Sequence, residues 1–165
     1  MAVRKIDLGF VGLRPPSEHP HVSGLEWECV AHHEVVVVLP AKHPLVKSRK
    51  IHILDLKPLF FVTMSEEGHP GSRRWLNTLC HEAGFTSRIL QDVELESGIM
   101  SFVAEGLGVT LAREPIKKLP HAGVVFRPSA DSAKSEYWIA WHRENVSKAL
   151  AQYIRIVKEE APAWD

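Results

Sequence analysis

The sequence predicts an α/β protein with a mostly parallel sheet, on three observations. Strand-like and helix-like runs alternate along most of the chain. Val35 to Leu39 and the run LFFVTM (59–64) are apolar at consecutive positions, the pattern of strands buried on both faces. Stretches around 72–83 and 144–160 carry apolar residues at helical spacing. At 165 residues the chain makes one ordinary domain or two small lobes, and its 45% hydrophobic content excludes wholesale disorder.

Each element has its own signal. In IDLGFVG (6–12), Ile6, Leu8 and Phe10 alternate with Asp7, Gly9 and Val11, which reads as a strand. RPPSEHPHVSG (14–24) is a proline-rich loop. LEWECVAHHEVVVVLP (25–40) is extended, with an interruption expected at His32-His33-Glu34. HPLVKSRKIHILDLKP connects onward through a short helix near 53–56. After LFFVTM and the loop SEEGHPGS, Ser72 is placed to cap a helix with Trp75, Leu76, Leu79, Cys80 and Ala83 on one face; Gly84 ends it. SRILQDVE reads as a strand, and EYWIAWH (136–142) as a strand apolar on both faces. ENVSKALAQYIRIVKEE closes the chain as a helix, with Val146, Ala149, Leu150, Tyr153, Ile154 and Val157 inward.

SFVAEGLGVTLA (101–112) poses a choice between a phosphate cradle and a packing turn. A dinucleotide fingerprint runs strand, glycines, helix. Here the order is inverted: Ile99, Met100, Phe102 and Val103 have helical spacing after Ser97, a candidate N-cap, and Val109-Thr110-Leu111 is strand-like. Gly106 suits a left-handed helix end, and the carbonyls of a helix C-terminus repel phosphate. The packing turn is the expectation.

Bulk charge and cysteine usage narrow the function. Lys plus Arg and Asp plus Glu number 20 each, so the chain lacks the basic surplus of a DNA-binding domain. Two cysteines outside any C-x-x-C pair give no disulfide framework and suit a reducing compartment. No apolar run approaches the ~18 residues of a membrane span, and the N-terminus lacks a signal-peptide pattern. A cytoplasmic location with no membrane contact is expected.

Candidate chemistry is thin. Glu18, His19 and His21 in EHPH, and the pair His32-His33, are the dense histidine clusters. A proline splits the first, and adjacent residues of an extended strand face opposite ways, so no metal is expected. HPGSRR lacks the second glycine of a G-x-S-x-G elbow. Cys80 lies on an apolar helix face, and Asp55, Asp92, Glu66 and Glu67 read as solvated carboxylates. No cofactor motif appears, and nothing argues for an enzyme. The loop TMSEEGHPGSRRW is different. It joins the C-terminal end of a buried strand to a helix N-terminus, where open α/β sheets bind ligands and free N–H groups favour anions.

Taken in order, IDLGFVGLRP, HHEVVVVLPAKHPL, HILDLKPLFFV, GHPGSRRWLNTLCHEAGF, VELESGIMSFVAEGLGVTLARE and YWIAWHRENVSKALAQYI resemble the effector-binding domain of LysR-type transcriptional regulators. The resemblance covers nearly the whole chain. It implies a type 2 periplasmic-binding-protein-like fold of two lobes, with a hinge crossed twice and a small-molecule effector held between the lobes. Residues 1–32 and 135–165 would form the first lobe, and 33–134 a complete second lobe, with crossings near His32-His33 and Ser135. KIDLGF matches the third strand of the family's first lobe, so that lobe is expected to be incomplete and the winged helix-turn-helix to be absent. Arg113 stands where the family usually has proline, which leaves the local turn open. Gly68-His69 resembles the peroxide-sensing branch, but Pro70 occupies the position of that branch's redox cysteine, so thiol sensing is not carried over.

The expected effector site takes Thr63, Ser65, His69 and Pro70 from the second-lobe loop, Gly12 and Leu13 after the first strand, Ser97 at the next helix start, and Tyr137 as a wall. Its logic is strand ends and helix N-termini around one ligand, with donors for an anion beside an aromatic surface. The expected ligand is a small carboxylate. An incomplete lobe would expose apolar surface and favour a homo-oligomer. A solute-binding receptor on the same fold is the alternative, and the missing signal peptide argues against it.

Overall fold

A run of five apolar residues can be buried on both faces only if something covers each side. In the computed structural model, which describes residues 6–14, 23–118 and 121–161, two helices do so for Val35 to Leu39. The backbone forms two compact units, residues 1–33 with 135–165 and residues 34–134. Strand β2 (Leu25–Pro40) belongs to both and runs sixteen residues without a break. The interruption expected at His32-His33-Glu34 is therefore absent. His32 and Glu34 point to solvent and His33 is buried, as strand alternation allows.

In the unit of 34–134, alternate residues of β2 feed different cores. Val35, Val37 and Leu39 join Phe61 of β3 (Phe60–Met64) and Leu76, Leu79 and Cys80 of helix α1 (Ser72–Glu82). Val38 joins Val62 and Ile99, Met100 and Val103 of α2 (Glu96–Ala104). Each buried Val or Leu side chain contributes about 1.5–3 kcal/mol.

The sheet is not mostly parallel. β2 pairs antiparallel with β5 (Thr110–Arg113) and with β6 (Val124–Pro128). Parallel pairing joins β3 to β4 (Arg88–Val93) and appears in single bridges at Phe61–Val109 and Ile51–Ser129. The chain passes through β3, α1, β4 and α2 before β5 and β6 reach β2, so their direction is set by that long excursion and not by a local turn. The sequence reading had no strand at β6. That strand is half-buried throughout and ends in Arg127-Pro128, whose guanidinium donates to the Val46 and Ser48 carbonyls. β5 runs through Arg113, opposite Val35, and the turn begins at Glu114.

Both helices end in left-handed glycines, Gly84 and Gly106. Leu107 N–H donates to Phe102 C=O and Phe85 N–H to Cys80 C=O, which satisfies terminal carbonyls. After Gly106 the chain runs against β3: Val109 N–H donates to the Phe60 carbonyl at 2.9 Å. A Cβ on Gly108 would lie 3.0 Å from that oxygen and 3.1 Å from Val62 Cγ2. Gly-Leu-Gly is a packing turn.

In the other unit, β1 (Leu8–Val11) pairs antiparallel with β7 (Lys134–His142), and β7 lies between β1 and β2. Helix α3 (Lys148–Glu160) is capped by the Ser147 hydroxyl, which accepts from Leu150 N–H. Leu150 and Val157 are buried and Ile154 is half-buried, but Val146, Ala149 and Tyr153 are exposed, contrary to expectation. Val146 precedes the cap, and Ala149 and Tyr153 flank a narrow stripe set by 150, 154 and 157. No helix among the described residues is long and apolar enough to cross a membrane.

Asp131 fastens the segment after β6 to the 3-10 turn Ile53–Leu56. Its carboxylate accepts from Ile53 N–H at 2.6 Å and the Ser129 hydroxyl at 3.2 Å, and pairs with His52 Nδ1 at 3.0 Å. Asp55 also serves the backbone here, accepting from His52 N–H.

Gly108→Ala is expected to destabilise the protein by about 1–3 kcal/mol, because the methyl meets backbone; urea unfolding measures it. The Asp131–His52 pair gives a pH signature. Burial alone would raise the Asp131 pKa, but hydrogen bonds from His52, Ile53 N–H and Ser129 hold it below its usual value; the bond to Asp131 raises that of His52. Asp131 thus stabilises above its unfolded pKa and loses this as pH falls. His52 stabilises below its unfolded pKa and loses this as pH rises through the raised value. The stability lost in Asp131→Asn is therefore expected to be greatest between ~4 and ~6.5 and smaller near ~8, as read from urea midpoints across that range.

Candidate functional site

The parallel register Thr63↔Asp92 brings the C-terminal ends of β3 and β4 side by side. Thr63 is nearly buried on β3. Beyond the strand end, Ser65 N–H donates to Val93 C=O, and the Ser65 hydroxyl accepts from Gly68 N–H at 3.2 Å. His69 N–H returns to the Ser65 carbonyl, and its Nε2 lies 3.1 Å from the Glu94 carbonyl. A carbonyl only accepts, so that nitrogen carries the proton. Ser65 and His69 thus tie the loop to the end of β4, and Pro70 is exposed beside them.

The start of α1 is occupied by the protein itself. The Glu66 carboxylate accepts from Gly71 N–H at 2.8 Å and Arg73 N–H at 2.6 Å. Gly71 is the N-cap residue and Ser72 already lies inside the helix, so the expected Ser72 cap is replaced by a side chain from upstream. The N–H groups expected to favour an anion already have one. Arg73 also pairs with Asp92. Arg73 Nε and Asp92 Oδ1 are shielded from solvent without a hydrogen-bond partner among the described residues. Glu66, Asp92 and Asp55 are therefore structural carboxylates, not merely solvated ones.

At α2 the cap position falls on Leu95, whose carbonyl accepts from Gly98 and Ile99, and no side chain caps the helix. Ser97 sits exposed in the first turn, with its carbonyl accepting from the Ser101 hydroxyl. It is not the N-cap, because it already has helical conformation. An open groove of about 670 Å³ runs along α1, lined by Arg73, Arg74, Asn77 and His81 among others. It includes none of the expected site residues.

In the other unit, Tyr137 on β7 stacks on Phe10 with centroids 6.0 Å apart, and its ring is tilted against buried His33 at 5.8 Å. Val11 is registered with Trp138, so Gly12 and Leu13 leave β1 at the Tyr137 end of the strand pair. Arg14, which the sequence reading did not single out, lies over the rings of Trp138 at 5.2 Å and Trp27 at 5.8 Å. Its only sequence signal was a lone cation among apolar residues. Within each unit the expected residues are neighbours: Thr63, Ser65, His69 and Pro70 around the β3 end, with Ser97 three residues past Glu94, and Gly12, Leu13 and Tyr137 around the β1 end. Glu18, His19 and His21 lie outside the described residues.

Neither thiol is activated. Burial pushes Cys80 up to about 11, and burial followed by the Glu136 carboxylate raises Cys29.

Two units joined by two strand crossings, each with loops gathered at strand ends, define the type 2 periplasmic-binding-protein-like fold. Residues 2–162 match the family described as LysR substrate binding domain, and the chain belongs to that family. It is 28% identical over 152 residues to the HTH-type transcriptional regulator AlsR of Bacillus subtilis (strain 168), covering 92% of this chain and 49% of AlsR. The full-length CbnR structure with its target DNA superimposes with a TM-score of 0.81 at 18% identity, over 94% of this chain and 53% of that one. The BenM effector binding domain with its effector benzoate gives 0.78 at 18% identity, over 96% and 70%. The chain spans about half the length of AlsR and of the Hca operon transcriptional activator HcaR of Escherichia coli (strain K12).

Glu66→Ala is expected to destabilise the unit of 34–134 by about 0.5–2 kcal/mol, as loss of a helix cap does. Faster amide exchange at Gly71 and Arg73 would identify the cap as the cause.

Proposed function

We propose that the chain is the effector-sensing domain of a LysR-type transcriptional regulator. In this reading it binds a small organic anion, a carboxylate first of all. The observation that carries the reading is the family match over residues 2–162. Benzoate in the BenM domain of the same fold supports a carboxylate ligand. Contact with DNA is assigned to a helix-turn-helix region outside these residues, in keeping with the zero formal charge of this chain. The reading is of a cytoplasmic receptor and not an enzyme: the carboxylates nearest the loop serve caps and ion pairs. Exposed Ile6, Val146, Tyr153 and Ile156, all in the unit of 1–33 with 135–165, support a homo-oligomer.

The effector contacts proposed are Thr63, Ser65, His69, Pro70 and Ser97 in one unit and Gly12, Leu13 and Tyr137 in the other. Because Glu66 fills the start of α1, the carboxylate is assigned to the start of α2 beside Ser97, where no side chain caps the helix although Glu96 lies in its first turn. In the other unit, Tyr137 stacked on Phe10 offers a flat apolar surface suited to an aromatic or aliphatic group.

The test is a thermal and urea stability screen of the full-length regulator against small aliphatic and aromatic carboxylates, benzoate among them. A true effector at about a hundredfold its Kd is expected to stabilise by roughly 2.7 kcal/mol. Thr63→Ala, His69→Ala and Tyr137→Ala are expected to reduce that gain. If all three leave it unchanged, the site lies elsewhere.

A further inference from the structure

Spacing along the chain shows no metal set, because Cys29, His32 and Glu136 come from two strands distant in sequence. The fold brings them together. β2 and β7 are hydrogen-bonded neighbours, and the Cys29 Sγ, a His32 ring nitrogen and a Glu136 carboxylate oxygen all lie within 4.8 Å of one another. Cys29 Sγ and His32 Nε2 are 3.9 Å apart. Cys29 is half-buried, and His32 and Glu136 reach it from the solvent side. All three belong to the unit of 1–33 with 135–165, so the cluster depends on that unit alone.

The distances suit one ion. A tetrahedral zinc with Zn–S near 2.3 Å and Zn–N near 2.05 Å places sulfur and nitrogen about 3.6 Å apart. The observed 3.9 Å lies within a small side-chain adjustment of that spacing. Glu136, exposed at a strand surface, closes the remaining gap by rotation about its side-chain bonds. We propose that Cys29, His32 and Glu136 form a three-ligand site for a thiophilic divalent cation, zinc above all, with a fourth position open to water or a small exogenous ligand. Thiolate and imidazole exclude magnesium and calcium, which require all-oxygen shells. On binding, the Cys29 thiol gives its proton to solvent and the metal takes its place. Nothing in this site depends on the effector residues proposed above, so each stands or falls separately.

The location gives the site a purpose. His32 and Glu136 are each within two residues of a point where the chain passes from one unit to the other. An ion held there clips β2 to β7 next to both crossings.

Cobalt(II), added to the reduced protein, is the probe. A thiolate-to-cobalt charge-transfer band in the near ultraviolet is expected, saturating at one ion per chain and bleached by zinc. The band requires a cysteine ligand, so adventitious binding by other histidines does not produce it. Cys29→Ser is expected to abolish it, and Cys80→Ala, with unchanged circular dichroism, to retain it. Glu136→Gln and His32→Asn change exposed side chains on a preserved fold, and each is expected to weaken zinc binding by at least about tenfold. No band at saturating cobalt, a band that survives Cys29→Ser, or parental zinc affinity in both Glu136→Gln and His32→Asn would overturn the assignment.

Discussion

Burial of β2 on both faces is the constraint that organises the unit of 34–134. A strand with solvent on one side could tolerate a polar residue at every second position, but Val35, Val36, Val37, Val38 and Leu39 leave none. One set of alternate side chains commits α1 and Phe61 to one side, and the other commits α2 and Val62 to the opposite side. The loops that leave β3 and β4 inherit their positions from these two helices. Thr63, Ser65 and His69 are where they are because Phe61 and Val62 are buried on opposite sides.

Much of this was legible in the sequence, and the exceptions share a cause. The α/β class, the doubly buried strand, the apolar face of α1 and the Gly-Leu-Gly turn each depend on residues close together in the chain. The direction of strand pairing does not, since a β-branched run looks the same beside a parallel or an antiparallel neighbour. β6 escaped notice because a half-buried strand holding Arg127 has a weak periodic signal. Caps were misassigned for a related reason. Ser72 and Ser97 stand next to helix starts, but capping depends on which atom reaches the N–H groups, and at α1 the reach belongs to Glu66.

The placement of Ser65 and His69 between a strand end and a helix was legible, because the strand LFFVTM and the helix after Ser72 each carry a local signal. The electrostatics there were not. The Arg73–Asp92 pair spans 19 residues, and the Cys29–His32–Glu136 cluster needs the β2–β7 pairing before it exists. The units also carry different chemistry. One offers donors and, near Thr63, an ion pair in which Arg73 Nε and Asp92 Oδ1 keep no partner among the described residues. The other offers aromatic faces at Phe10, Tyr137 and Trp138 together with soft metal-ligating atoms.

The unbroken course of β2 has an evolutionary consequence. A loop absorbs an inserted or deleted residue locally, but a strand does not. One residue added between Leu25 and Val35 would turn every later side chain to the opposite face. The valines serving α1 would then meet α2, and His33 would leave its place beside Tyr137. Length variation among descendants of this gene is therefore permitted in β2 only in steps of two, or as a bulge that restores the phase. Single-residue gaps in an alignment belong in the loops on either side.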